Sequence, residues 1–130
     1  MNLHCDRISY EYSKFHNVTF DDHAISSEKC EFIHCEFHID FLQSYLILED
    51  NLFRDCLFEN INLEYSGEIS YIKGNGFLDC IFKNVKLQED TEYIDQYVRS
   101  GKIEDAIFIS SNMSGNQYLE MQFKDVEIGA

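Results

Sequence analysis

The sequence has no proline, no tryptophan and only six glycines among its 130 residues. Without proline there is no Pro-rich linker to divide the chain, and its length suits one core of ordinary size, so residues 1–130 are read as a single domain. Positive charge is scarce, with ten Lys and Arg against 24 Asp and Glu, a formal net charge of −14. That deficit argues against direct binding to nucleic acid or to an anionic membrane and favours a basic protein partner. No stretch approaches the roughly 18 consecutive apolar residues of a membrane span. The opening residues "MNLHCDRISYEYSK" lack the apolar segment of a secretion signal. A cytoplasmic protein is expected, and its five cysteines, an odd number, are read as reduced thiols. A Gly-rich phosphate loop, an HExxH pair and a GxSxG turn are all missing, so no enzyme class is indicated and no cofactor is expected.

What is present is a repeat. Residues 51–63, "NLFRDCLFENINL", share their shape with residues 75–87, "NGFLDCIFKNVKL". Four further windows fit: "SKFHNVTFDDHAI" (13–25), "CEFIHCEFHIDFL" (30–42), "GKIEDAIFISSNM" (101–113) and "NQYLEMQFKDVEI" (116–128). Stacked, their third position reads Phe15, Phe32, Phe53, Phe77, Ile103, Tyr118, and their eighth reads Phe20, Phe37, Phe58, Phe82, Phe108, Phe123. Apolar residues thus recur at every fifth position, with a small or apolar residue two before each. A helix would need spacings of three and four, and a simple amphipathic strand would alternate strictly. Spacing of five describes short strands separated by corners, with positions six and eight turned inward and position seven outward.

On these residues, above all "CLFEN-INLEY" and "CIFKN-VKLQE", the chain resembles the pentapeptide-repeat proteins. The resemblance implies an all-β, right-handed parallel β-helix of about six coils. The coils are irregular, because the windows start 17, 21, 24, 26 and 15 residues apart and the third unit is degenerate at His23, Asp40 and Ser111. The spacers then become excursions. "EDTEYIDQYVRSG" (89–101) reads as a short helix near 90–100, capped by Asp90 or Thr91, with Tyr93, Ile94, Tyr97 and Val98 as its apolar face and Gly101 as its stop. "SYLILED" (44–50) and "EYSGEISYIKG" (64–74) would add strand or helix at the same edge.

The columns sort the candidate chemistry. Cys35, Cys56 and Cys80 share the sixth position with Val18, Ala106 and Met121, which marks a small apolar core slot. All five histidines lie in the first 38 residues, and "CEFIHCEFH" holds zinc-like Cys-x4-Cys and His-x3-His spacings. The repeat turns Cys35 inward and leaves His34 and His38 at corners, so no metal ligands are assigned. Position five places Asp55, Asp79, Asp105 and Glu120 in a line of negative charge roughly 15 Å long, taking one rung per window. Paired carboxylates would also suit a carbohydrate-active enzyme, but the body is narrow and no groove is implied. Position seven points outward yet carries Leu57, Ile81 and Ile107, a stripe suited to a contact surface or a homodimer. With Glu59, these are the candidate partner-binding residues.

Some pentapeptide-repeat proteins imitate DNA and bind topoisomerases, and this chain is similar in sign and architecture. The function expected is therefore non-catalytic binding by an acidic inhibitor, such as an immunity protein that neutralises a nuclease or other nucleic-acid-acting toxin. The alternative is a structural or oligomerising scaffold, with a metal-binding or carbohydrate-active enzyme behind it.

Overall fold

The computed structural model describes residues 2–3, 7–21, 24–38, 46–63, 70–87, 91–108 and 112–128. Short parallel strands wind through them into a right-handed β-helix. Sheet I stacks Lys14–His16, Glu31–Ile33, Leu52–Arg54, Gly76–Leu78, Tyr97–Arg99 and Gln117–Leu119. Sheet II stacks Asn2–Leu3, Thr19–Asp21, Glu36–His38, Leu57–Asn62, Ile81–Leu87, Lys102–Phe108 and Gln122–Ile128. Sheet III stacks Arg7–Glu11, Ala24–Glu28, Leu46–Glu49, Tyr71–Lys73, Glu92–Ile94 and Asn112–Ser114. Each coil runs from sheet I to sheet II to sheet III, and six rungs make about five full turns.

Corners form where a residue enters the left-handed region of backbone space. Between sheets I and II these residues are Asn17, His34, Asp55, Asp79, Ser100 and Glu120, with φ from 53° to 59°. Side chains with a Cβ enter this region at a cost, and Asn and Asp tolerate it best. The corner thus accounts for the aspartates at position five without any appeal to a ligand. Every one of these corner N–H groups but that of Glu120, on the last coil, donates to the coil below, as from Asp55 to the Leu78 carbonyl (3.0 Å) and from Asp79 to the Arg99 carbonyl (3.0 Å).

Two ladders of phenylalanine fill the core. Phe15, Phe32, Phe53 and Phe77 stack at 5.0, 4.8 and 4.9 Å between ring centres. Phe20, Phe37, Phe58 and Phe82 stack at 4.9, 4.7 and 4.9 Å. Rings meet edge-on between the ladders, as Phe53 meets Phe58 at 5.1 Å. Aromatic pairs in these geometries add about 0.5–1.5 kcal/mol beyond their area burial. A third ladder is polar. Asn51, Asn75 and Gln96 are buried. The Cys30 N–H donates to Asn51 Oδ1 (2.9 Å), the Asn51 N–H to Asn75 Oδ1 (2.9 Å), the Asn75 N–H to Gln96 Oε1 (3.0 Å) and the Gln96 N–H to Asn116 Oδ1 (2.9 Å). Backbone donors facing the interior at this corner are thereby satisfied by side chains of the next coil.

The helix expected near 90–100 is absent. Glu92–Ile94 and Tyr97–Arg99 are strands of sheets III and I, with Asp95 at a left-handed corner between them (φ 57°). Tyr93 and Val98 are the in-turned residues, and their separation of five is the solenoid's own spacing. Gly101 does not end a helix; it lies against Cys80, where an added Cβ would collide with the Cys80 carbonyl oxygen. The excursions at 44–50 and 64–74 contain the sheet III strands Leu46–Glu49 and Tyr71–Lys73. The degenerate positions His23, Asp40 and Ser111 lie outside the described residues.

The missing helix moves one window. Val98 pairs with Phe77 and Tyr118, and Ile103 pairs with Phe82 and Phe123, so the fifth window is 96–108, five residues earlier than the sequence pattern placed it. Equivalent residues are then 17, 21, 24, 21 and 20 apart, a more even spiral than the sequence suggested.

Candidate partner-binding surface

The corner between sheets I and II carries most of the expected surface. Asp55 and Asp79 are exposed on consecutive rungs. Two positions further on, Leu57 and Ile81 are register partners. Leu57 is half-buried and Ile81 is 40% exposed, although both point away from the core. With His34 and Glu36 from the rung above, these four line an open groove of about 490 Å³. The corner residues bond through their backbones, which sets them at the spacing of adjacent strands, about 4.8 Å.

The shifted window removes two residues from these columns. Asp105 follows Glu104, the register partner of Lys83, so it belongs with Asn60, Asn84 and Asp125 on the next corner. There the Asn84 amide donates to Asn60 Oδ1 (2.8 Å). Ile107 pairs with Lys86 and Glu127, and Lys102 is the residue that follows Ile81 in the outward column. Neither the four-carboxylate line nor the Leu57–Ile81–Ile107 stripe therefore exists as a continuous column.

Glu120 does lie in the Asp55–Asp79 column, but Ser100 intervenes. Its carboxylate accepts from Ser100 Oγ (3.1 Å) and approaches Arg99 Nε (3.7 Å). The Tyr97 side chain, followed by Glu120, holds Arg99 above its ordinary value, so the guanidinium stays charged. Glu59 faces Lys83 across the sheet and approaches His38 Nδ1 (3.7 Å), whose other ring nitrogen lies 3.4 Å from Glu36. His38 thus bridges two glutamates beside the groove.

The four cysteines among the described residues lie behind this surface. Cys30, Cys35, Cys56 and Cys80 are buried. Each of the latter three directs its thiol at backbone carbonyls, as Cys56 does at the Phe32 and Arg54 oxygens (both 3.3 Å). The neighbouring Cys35 thiol favours ionisation of Cys56, but the Cys80 thiol and burial outweigh it and push its pKa up to about 12. Cys35 is raised further, first by the neighbouring Cys56 thiol and then by burial. Cys35 and Cys56 thus stay protonated, and all four serve as small core residues. The sixth column gains Gly101 in place of Ala106, which lies in the in-turned column opposite Val126. Cys30 and Cys35 face inward while His34 stands exposed on the corner, so the zinc-like spacing does not gather its residues. Among the described residues no group of three or more His, Cys, Asp or Glu is placed to hold a metal ion, and no helix is long and apolar enough to cross a membrane.

Sequence reasoning missed the outer face of sheet I. Its outward positions carry Ile33, Leu52, Leu78 and Tyr97, all half-buried, with Arg54 and Arg99 exposed between them. Alternation about Phe53 and Phe77 would have shown it, since the residues flanking each in-turned ring must face out. The acidic corner therefore separates two partly apolar faces.

No protein-family model and no curated protein matches the chain. Among solved structures it is similar to a trypsin-treated variant of QnrB1, a plasmid-mediated fluoroquinolone resistance protein, at 14% identity and a TM-score of 0.29, over 93% of this chain and 72% of that one. The assignment as a parallel β-helix stands on the strand register.

Proposed function

We propose that this chain is a non-catalytic, protein-binding β-helix that presents the corner around Asp55, Leu57, Asp79 and Ile81 to a basic protein. The observation carrying this reading is the pair of adjoining columns on that corner, one carboxylate and one aliphatic, held in register on consecutive rungs. Like charges directly opposite one another on adjacent strands cost stability. An outward aliphatic pair beside them offers a partner something to desolvate. Together they suit a partner with cationic side chains around an apolar contact, as in a protein surface that otherwise grips nucleic acid. The finer reading is a cytoplasmic inhibitor of the immunity type, which occupies the basic site of a nuclease or another nucleic-acid-acting toxin.

The test is retention of a purified basic nuclease toxin on immobilised protein. Wild type is expected to hold it at low salt and release it at high salt, because exposed ion pairs are screened. Asp55→Asn/Asp79→Asn and Ile81→Asp should each lose it, while Asp105→Asn, on the neighbouring corner, should retain it. Equal retention by all four proteins would remove the corner from the interface. Sedimentation separates the scaffold reading: a tight homodimer dispersed by Ile81→Asp supports assembly through this face, and a monomer excludes it.

A further inference from the structure

Asn75–Gly76 is the one Asn-Gly pair in the sequence, and it occupies the middle of the buried amide ladder. Glycine has no Cβ and the freest backbone, so a following glycine is the residue that least hinders attack of its own backbone nitrogen on an asparagine side chain. In that reaction the Gly76 nitrogen bonds to Asn75 Cγ and the Cγ–Nδ2 bond breaks. Ammonia leaves with the amide proton, and water opens the cyclic imide to aspartate or isoaspartate. One water is consumed, one ammonia is released, and nothing is oxidised or reduced.

The fold opposes every part of this. Asn75 is 1% exposed. Its Oδ1 accepts from the Asn51 N–H (2.9 Å) and from Asn51 Nδ2 (3.0 Å). Its Nδ2 donates to the Leu48 carbonyl (3.0 Å) and to Gln96 Oε1 (3.1 Å). The attacking nitrogen is tied as well, because the Gly76 N–H donates to the Asn51 carbonyl (2.9 Å). The carboxamide therefore has both oxygen lone pairs and both N–H donors engaged, and no water reaches it.

We propose that Asn75–Gly76 is a modification site gated by folding: it is inert in the native coil and deamidates when the middle rungs open, which blocks their return. The product explains the block. An aspartate oxygen would take the place of Nδ2 and face the Leu48 carbonyl and Gln96 Oε1, two acceptors, in a buried site. Isoaspartate would add a backbone atom between the in-turned Asn75 and Phe77 and disturb the inward and outward alternation of the rung.

The experiment incubates the full chain in mildly alkaline buffer with and without denaturing urea, and follows the carboxamide-to-carboxyl mass change in the peptide around residue 75. Conversion should be at least about tenfold faster in urea, as for any reaction that needs the open state. After dilution of the urea, converted chains should fail to regain the native circular-dichroism spectrum while unconverted chains regain it. Gly76→Ala should fold, because its Cβ would meet only the flexible end of Leu52 at 3.2 Å, and should slow conversion in urea. Equal conversion rates in the folded and unfolded chain would overturn the gate. An Asn75→Asp protein that folds with an unchanged urea midpoint would overturn the block.

Discussion

The middle of the β-helix and its last coil are built from the same repeat, yet only the middle has a closed interior. Phe53 and Phe58, with a rung on either side, are 0% and 2% exposed. Phe123, at the equivalent position to Phe58, is 48% exposed, and Ile128, equivalent to Leu63, is 37% exposed against 1%. Between these regions the Phe ladders stop, with Val98 and Ile103 in their places, and Tyr93 and Phe108 lean together at 5.4 Å. Burial here is a property of neighbouring rungs and not of the residue pattern within one. Stability in such an array is close to a sum of rung and interface contributions.

The largest effect is expected where both neighbours are present. Phe53→Ala should lower unfolding free energy by about 3–5 kcal/mol. Phe123→Ala should cost about 1 kcal/mol or less, since half of its ring is already in water. Urea midpoints measure both, and similar losses would break the contrast between closed and open coils. Gly101→Ala comes next, at about 1–3 kcal/mol, because the clash is with backbone and cannot be relieved by a rotamer change. At the corner, relief of a like-charge pair by Asp55→Asn should stabilise by about 0.2–1 kcal/mol. The same change should weaken partner binding, so stability and function would move in opposite directions. A pH titration gives the smallest effect near neutrality and a slope only in alkali. A thiol raised on folding favours the protonated state, so stability holds below its ordinary value of 9.0 and falls as pH rises from there toward about 12. Tyr93 and Tyr118, pushed up mainly by burial, add to the decline at higher pH. Cys56→Ala should flatten the first part of that slope.

The regions also differ in how well the sequence reveals them. Rungs 51–63 and 75–87 pair residue for residue as their shared pattern implies, from Leu57 opposite Ile81 to Asn62 opposite Lys86. Their cysteines and phenylalanines are in the core, and Asp55 and Asp79 share a corner. The failure lies between residues 88 and 113. A five-residue unit has few distinguishing features, so a window displaced by one unit still finds an apolar residue at every required place. "GKIEDAIF" offered Phe108 for the eighth position, where the coil uses Ile103. Once that frame slipped, Asp105 and Ile107 joined columns to which they do not belong, and Tyr93, Ile94, Tyr97 and Val98 looked helical. The amide ladder was legible in principle, as Asn51, Asn75 and Asn116 each open a window. Its role was hidden because an amide in a core is costly until its partner in the next coil is known.

The unequal coil lengths have one further consequence. Between Arg54 and Leu57, and again between Lys73 and Gly76, strands follow one another at a constant interval, whereas the chain from sheet II to sheet III varies from Asp21–Ala24 to Asn62–Tyr71. Variation is thus confined to a single edge, and the opposite edges keep one pitch along the whole rod. The molecule works as a ruler with a free margin. Its graduations are the corner residues, and segments can be lengthened or exchanged along the margin without moving any of the marks a partner would read.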